Sequence, residues 1–378
     1  MLYKIALTLI DHFTPAAIRR MYDAGISAED LLMHPEETLA DELESVRVPL
    51  IKQIREHRNR ALDLARREMA YCSKEGIRIV CAGDEAYPYR LTGCTDAPSV
   101  LYLRGQVDLN ARCVLAVVGT RHATDYGIRV CERLLTDLGR RIPGLLVVSG
   151  LAYGIDIAAH RTALAQHLPT VGVVAHGQDT LYPASHRREA QAMQAHGGVL
   201  TEYASGTAVH AGNFLRRNRI IAGLADATLV VESAVRGGAL ATARLADNYG
   251  RTVLAVPGRI TDTFSEGCNR LIFRRCATSI SSADDIIDVM EWQRFTDDAR
   301  RPVEADLFAQ TEDAACLTPE RRKVVEALRQ SDGMSLYDLQ KTTGLPPYIL
   351  NRELVEMEIN GEVRKMPSGV YYWRSSPV

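Results

Sequence analysis

Four segments of this sequence set glycines beside residues that hold phosphate. The first, Ala116-Val-Val-Gly-Thr-Arg121, leads into Thr124-Asp-Tyr-Gly127 and a helical pattern. An apolar strand that enters a Gly turn ahead of a helix lets the backbone approach an anion, and the free helical N–H groups point at it. Arg121 adds a planar, two-pronged donor to Gly119 and Thr120. The same glycine would equally serve a tight strand–helix turn that binds nothing. The spacing is not GxGxxG, no acidic residue stands where a ribose would be held, and there is no GxxxxGK[ST] run, so dinucleotide and P-loop chemistry are not expected.

The second segment, Val148-Ser-Gly-Leu-Ala-Tyr-Gly-Ile-Asp-Ile-Ala-Ala-His160, repeats the strand–Gly–helix order and offers Ser149 and Gly150. Ser149, Asp156 and His160 invite a triad, but Asp156 and His160 are four apart on one helix and are expected to pair with each other. No GxSxG elbow surrounds Ser149. The third segment, Phe214-Leu-Arg-Arg-Asn-Arg219, precedes an apolar helical run. Arg216, Arg217 and Arg219 can clamp phosphates, Asn218 can hydrogen-bond, and Phe214 can stack a base; a solvated basic helix start or internal ion pairs would use the same residues. Which arginine faces outward is open. Read as a helix start, the cluster opposes the helix dipole, which an anionic ligand would offset. The fourth segment, Val231-Glu-Ser-Ala-Val-Arg-Gly-Gly-Ala239, opens a helix with Gly237 and Gly238. Three such turns on one sheet edge imply a surface that tracks several phosphates, beyond the needs of a mononucleotide pocket.

The elements that would position these segments follow from hydrophobic pattern. Short β-rich runs at 78–81, 114–118, 145–149, 170–174, 199–201, 228–232 and 252–256 alternate with helical stretches. Continuous apolar runs suit strands buried on both faces of a parallel sheet, and the alternation predicts an open α/β sheet of Rossmann type. Four regions are expected: a helical domain at 1–72, including a helix from about Pro49 to Cys72; an extended Rossmann-like domain at 73–290; a linker at 291–316; and three helices plus a hairpin, the winged-helix order, at 317–378. In the last, Leu350, Leu354 and Met357 form the buried stripe of the third helix. Eight Lys/Arg balance eight Asp/Glu across 318–373, which makes this a poor groove reader by charge and favours a partner-binding role.

The chain of 378 residues carries a net charge of −2 with 46% apolar residues, so a nucleic-acid site must be a local patch. The eight cysteines form no CxxC pair and sit in apolar segments; buried thiols in a reducing cytoplasm are expected, with no zinc or other metal. No signal peptide and no membrane-spanning run is read.

The motifs occur in a specific order: GTR with TxYG, SGLAxGIDxxAH, Gly177-x-Asp-x-x-Tyr-Pro-x-x-His186, Gly197-Gly198 with Thr201-Glu202, FxxRNRIIAGL, and AVPG with SxGxNxLI. Over about 80–285 they resemble the DprA/Smf family of DNA-processing proteins. The resemblance implies an α/β Rossmann-like parallel-sheet domain flanked by a sterile-alpha-motif-like helical domain and a winged helix. It further implies a non-enzymatic homodimer without cofactor that binds single-stranded DNA regardless of sequence, recruits RecA and displaces single-strand-binding protein in natural transformation. Its DNA pocket would use Gly119, Thr120, Arg121, Ser149, Gly150, Phe214, Arg216, Arg217, Asn218, Arg219, Gly237 and Gly238. The chain departs from the family pattern in Val-Ala-His before Gly177, in Gly237-Gly238-Ala239 where Ser-Gly-Ser is usual, and in Arg275-Cys276-Ala277. Two other classes stay open: a LOG-type nucleotide-cleaving enzyme with Glu232 as its acid, and a winged-helix transcription regulator.

Overall fold

The computed structural model describes residues 1–11, 13–40, 44–296, 318–331, 333–360, 362–366 and 369–373. They fall into two units, residues 1–283 and 284–378, each described by itself. The first unit opens with helices α1 (Leu2–Thr8), α2 (Pro15–Asp23), α3 (Ala28–Met33), α4 (Pro35–Thr38) and the long α5 (Glu44–Glu75). Thr14 and Ser27 cap α2 and α3 by accepting from the N–H of Ala17 and Asp30, as Ser and Thr do before a helical run. Helix α5 is longer than the expected 49–72 and encloses Pro49. Ile5, Leu7, Ile18, Leu31, Leu32 and Ile54 form one core with Val100 and Tyr102 of the sheet, so these helices are packed onto the sheet end.

The sheet has nine strands: β1 (Arg78–Cys81), β2 (Val100–Gln106), β3 (Val114–Val118), β4 (Leu146–Ser149), β5 (Thr170–Val173), β6 (Gly197–Thr201), β7 (Ala227–Val230), β8 (Thr252–Ala255) and β9 (Thr278–Ser279), in the order β1-β2-β6-β5-β4-β3-β7-β8-β9. From β6 to β9 every pairing is parallel. Strands β1 and β2 add an antiparallel edge. Strand β2 and the two-residue β9 were not anticipated from the sequence. The helices of this unit are α6 (Tyr89–Thr92), α7 (Asp125–Arg141), α8 (Ile155–Ala165), α9 (Arg187–Ala192), α10 (Ala211–Leu224), α11 (Gly238–Asn248) and α12 (Glu266–Phe273). Strands β3, β4, β5, β6 and β7 are buried at every position, which is why their sequences run apolar without alternation. From β3 the chain steps outward through β4, β5 and β6; α10 then carries it back to place β7 on the other side of β3. The order reverses there, and in open α/β sheets ligands bind outside the carboxyl ends at such a point.

The second unit begins at the second residue of α13 (Ala283–Met290) and continues with α14 (Pro319–Arg329), β10 (Met334–Ser335), α15 (Leu336–Thr343), α16 (Pro347–Ile359), β11 (Val363–Lys365) and β12 (Val370–Trp373), its sheet ordered β10-β12-β11. Ser335 and Asp338 form the capping box that starts α15. Leu350, Leu354 and Met357 are fully buried in its core. Of the expected linker, residues 297–316 lie outside the described ones, and 293–295 form a short 3-10 turn. Among the described cysteines six are buried, while Cys276 is exposed, contrary to the expectation; Cys316 lies outside the described residues. Among the described residues no helix is long and apolar enough to cross a membrane, and no three His, Cys, Asp or Glu side chains are grouped to hold a metal ion.

Candidate functional site

At the carboxyl edge of the sheet, where its order reverses, lies a crevice of about 350 Å³. Its floor and rims come from the loops after β3, β4 and β7, and one wall is α10. The loops are tied tightly together. Thr120 N–H donates to the Glu232 carbonyl at 2.8 Å, and Ile155 N–H donates to the Thr120 carbonyl at 3.2 Å. Gly154 sits at φ +76°, and a Cβ there would collide with the Thr120 carbonyl and the Arg121 backbone, so only glycine lets the two loops meet. The Glu232 carboxylate accepts from Thr124 N–H at 2.9 Å and from its hydroxyl at 2.5 Å. Thr124 Oγ1 in turn caps α7 through Gly127 N–H. Glu232, 2% exposed, is thus committed to holding the first loop in place.

Helix α10 sorts the arginines. It starts at Ala211, capped by the His210 ring. The cluster therefore lies in the helix body and not at its start, which removes the dipole argument raised by the sequence. With 3.6 residues per turn, positions 214, 217, 218 and 221 share one face, and Phe214, Arg217, Asn218 and Ile221 all line the crevice. Arg216 is exposed and lies outside the crevice lining. Arg219 is buried and forms an ion pair with Glu202, so it does not serve a ligand directly.

Arg217 is 3% exposed. Its Nη1 donates to the Gly150 carbonyl at 2.7 Å and to the Val173 carbonyl, and its Nε has no partner among the described residues. A Cβ on Gly150 would sit 2.7 Å from both terminal nitrogens; the glycine makes room for the guanidinium. Burial pushes the Arg217 pKa down to about 10, Asp156 acting against this and Arg121 adding to it. Asp156 accepts from the N–H groups of Gly150 at 3.1 Å and Ala152 at 3.4 Å. Burial raises its pKa, and Arg217 and those N–H groups restrain the rise. The expected Asp156–His160 pair is therefore not formed. His160 is buried with Nδ1 2.7 Å from Thr170 Oγ1, and Ser149 donates its hydroxyl to the Val117 carbonyl at 2.6 Å. The three residues do not line up as a relay: Asp156 holds loop N–H groups, His160 faces Thr170, and Ser149 donates to the Val117 carbonyl, each satisfying buried polar groups.

On the open side, the exposed Arg121 guanidinium lies 5.2 Å from the centroid of the Phe214 ring, and Tyr182 meets that ring edge-on at 5.7 Å. Gly237 gives α11 no side-chain cap, so the first N–H groups of that helix are free for an anion. The exposed Arg236 and His122 also line the crevice. Neither was named as a site residue from the sequence, although Arg236 lies within the fourth segment and His122 follows the first. The structure thus gathers Gly119, Thr120, Arg121, Phe214, Arg217, Asn218, Gly237 and Gly238 around one space. Ser149 and Gly150 stand behind it, Arg219 is turned into the protein, and Arg216 projects elsewhere. Three arginines against one carboxylate leave the space positive, with an aromatic face at its mouth.

Comparison with known proteins adds the family. A family model for DNA recombination-mediator protein A matches residues 78–291, and one for the DprA winged helix domain matches 308–369. Protein Smf of Escherichia coli is 34% identical over 308 residues, which span 80% of this chain and 79% of the relative. The X-ray structure of DNA processing protein A from Streptococcus pneumoniae matches with a TM-score of 0.56 at 30% identity, covering 73% of this chain and 97% of that one. The Helicobacter pylori DNA processing protein A, whose structure concerns its single-stranded DNA binding mode, matches with a TM-score of 0.52 at 27% identity, over 57% of this chain and 96% of that one. With its switch-point crevice, its winged helix and these matches along both, the chain belongs to the DprA/Smf family of DNA-processing proteins.

Proposed function

We propose that this chain binds single-stranded DNA along the carboxyl edge of its sheet, without sequence preference, and loads RecA onto it in place of single-strand-binding protein during natural transformation or recombination. The observation that carries this reading is the convergence of Arg121, Arg217, Arg236 and the uncapped start of α11 around the ring of Phe214. Guanidinium groups and helical N–H groups hold phosphodiesters, and an aromatic face stacks any base. The DNA contacts are assigned to Gly119, Thr120, Arg121, Phe214, Arg217, Asn218, Gly237 and Gly238, with Ser149, Gly150 and Arg219 as supports. The protein acts in the cytoplasm as a homodimer and uses no cofactor.

Other readings fit less well. A LOG-type enzyme needs a free acid, and the Glu232 carboxylate is occupied by Thr124. A winged-helix regulator needs a basic recognition helix. Helix α16 instead exposes Tyr348, Val355 and Ile359 beside Glu356 and Glu358, a surface better suited to a protein partner.

Competition between labelled oligothymidylate and unlabelled single-stranded or duplex DNA tests the first half of the proposal. Single strands of any sequence should compete and duplex should not; equal competition by duplex would overturn it. Assembly of RecA on DNA coated with single-strand-binding protein tests the second half: the chain should accelerate it, and an unchanged rate removes the loading role.

A further inference from the structure

A second cavity, about 350 Å³, lies in the first unit where the opening helices meet the entry to the sheet. It shares no residue with the crevice. Helices α1, α2 and α3 form one side of it through Lys4, Tyr22 and Ala28. The segments after β1 and before β2 form the other through Ala82, Tyr87 and Pro98. The wall is mostly apolar, with two tyrosine rings in it. Small-molecule sites are lined in this way, with a few placed polar groups to fix the ligand.

The polar groups of the wall divide into committed and uncommitted ones. Arg19 is committed: its Nε donates to Asp23 and its Nη1 to the Thr92 carbonyl, both at 2.8 Å. Tyr87 donates its hydroxyl to the Pro98 carbonyl at 2.6 Å. Lys4, half-buried, gives one N–H to the Ala82 carbonyl at 2.5 Å. Among the described residues no carboxylate pairs with it, and an ammonium has three donors. The hydroxyls of Tyr22 and Ser99 are buried and have no hydrogen-bond partner among the described residues. Burial, with Cys81 adding to it, pushes the Tyr22 pKa up to about 12, so at neutral pH its hydroxyl stays a donor. Buried polar groups are hydrogen-bonded as a rule. Water could serve the two hydroxyls, but an apolar wall holds it poorly and it does not neutralise the ammonium. A carboxylate does both.

We infer that this cavity is a binding site for a small aromatic monocarboxylate, whose ring lies among Tyr22, Tyr87 and Pro98 and whose carboxylate accepts from Lys4 and from the hydroxyls of Tyr22 and Ser99. Such a ligand bridges α1, α2 and the segment before β2. It therefore stabilises the seating of the opening helices on the sheet. Because the two cavities share no residue, it acts on the fold and leaves the crevice as it is.

The probe is 2-naphthoate, with 2-naphthalenemethanol as its neutral counterpart. Each is titrated into the full chain by isothermal calorimetry and followed by thermal unfolding. Naphthoate should bind once per chain and raise the melting temperature. It should bind about tenfold more tightly than the alcohol, the margin of one hydrogen bond to a charged group. Lys4→Met should bring the two probes level, and Lys4→Arg should restore the preference. Ala82→Phe, at a half-buried position of the wall, should abolish binding of both, with circular dichroism reporting that the chain is folded. Saturating oligothymidylate and Arg121→Ala should each leave the naphthoate affinity unchanged. No saturable binding by the unaltered chain, or equal binding of the two probes, overturns the site. Displacement by oligothymidylate would place the probe in the crevice and overturn it too, as would a preference for the carboxylate that survives Lys4→Met.

Discussion

The parallel sheet has a buried arginine against each of its two edges, Arg90 from α6 at the amino edge and Arg217 from α10 at the carboxyl edge, in opposite circumstances. At the amino end, Arg90 meets Asp226 through two bonds of 2.7 and 2.9 Å. It also donates to the carbonyls of Ala111 and Arg112, while Asp226 accepts from Val114 N–H at 2.9 Å. Burial would lower the Arg90 pKa, but Asp226 more than offsets it and the pKa stands above the usual value. At the carboxyl end, Arg217 is as deeply buried, yet its bonds go to two carbonyls and its neighbouring carboxylate is already occupied by backbone N–H groups. Its pKa is pushed down to about 10 by burial. The difference teaches that burial alone does not make an arginine structural. Where a carboxylate meets the guanidinium face to face the end is closed and contributes stability; where it is left short of negative charge, the end is ready for an anion.

The sharpest way to break this contrast is Asp226→Ala. It strands the Arg90 charge in the interior and should cost about 3–5 kcal/mol in urea unfolding, with DNA affinity of the folded protein unchanged; a loss within error would mean the closed end is not closed. Next comes pH. Burial first, then His186 and Arg217, push the His160 pKa down to about 3, against about 6.5 in the unfolded chain. His160 is therefore neutral when folded, and its stability contribution is complete above pH 6.5 and is lost as pH falls toward 3, at about 1.4 kcal/mol per pH unit. His160→Gln should flatten the stability profile in that window, and an unaltered profile would remove His160 from it. A smaller effect is expected from Gly150→Ala, which presses on the Arg217 guanidinium: about 1–3 kcal/mol of overpacking and a several-fold loss of affinity for single strands. Arg216→Ala should do least, leaving both stability and binding of a short strand as they were; a loss matching that of Arg121→Ala would show that the helix face was assigned wrongly.

The sheet was legible in the sequence because strands buried on both faces must be apolar throughout, and seven of its strands stand within two residues of their apolar runs. Strand β2 escaped because its second half, Arg104-Gly-Gln106, is polar and partly exposed, so only its apolar start resembles a strand. The glycine turns were legible for a similar reason: close loop contact at Gly154 leaves little choice of residue. The arginines were not. Sorting 216, 217 and 219 requires the phase of α10, and its first turn, Ala-Gly-Asn after a His cap, lacks the usual start signals. The partners of Asp156 and His160 were hidden for another reason. Helical spacing made them neighbours, whereas loop N–H groups and Thr170, distant in sequence, supplied the bonds.

The open end of the sheet is tested most directly by the salt dependence of single-strand binding, measured with and without Arg121→Ala and Arg236→Ala together. The log–log slope should become shallower by about 1.4, two phosphate contacts at about 0.7 each, with the urea midpoint unmoved. An identical slope and affinity in the double variant would contradict the assignment of the crevice to the DNA backbone.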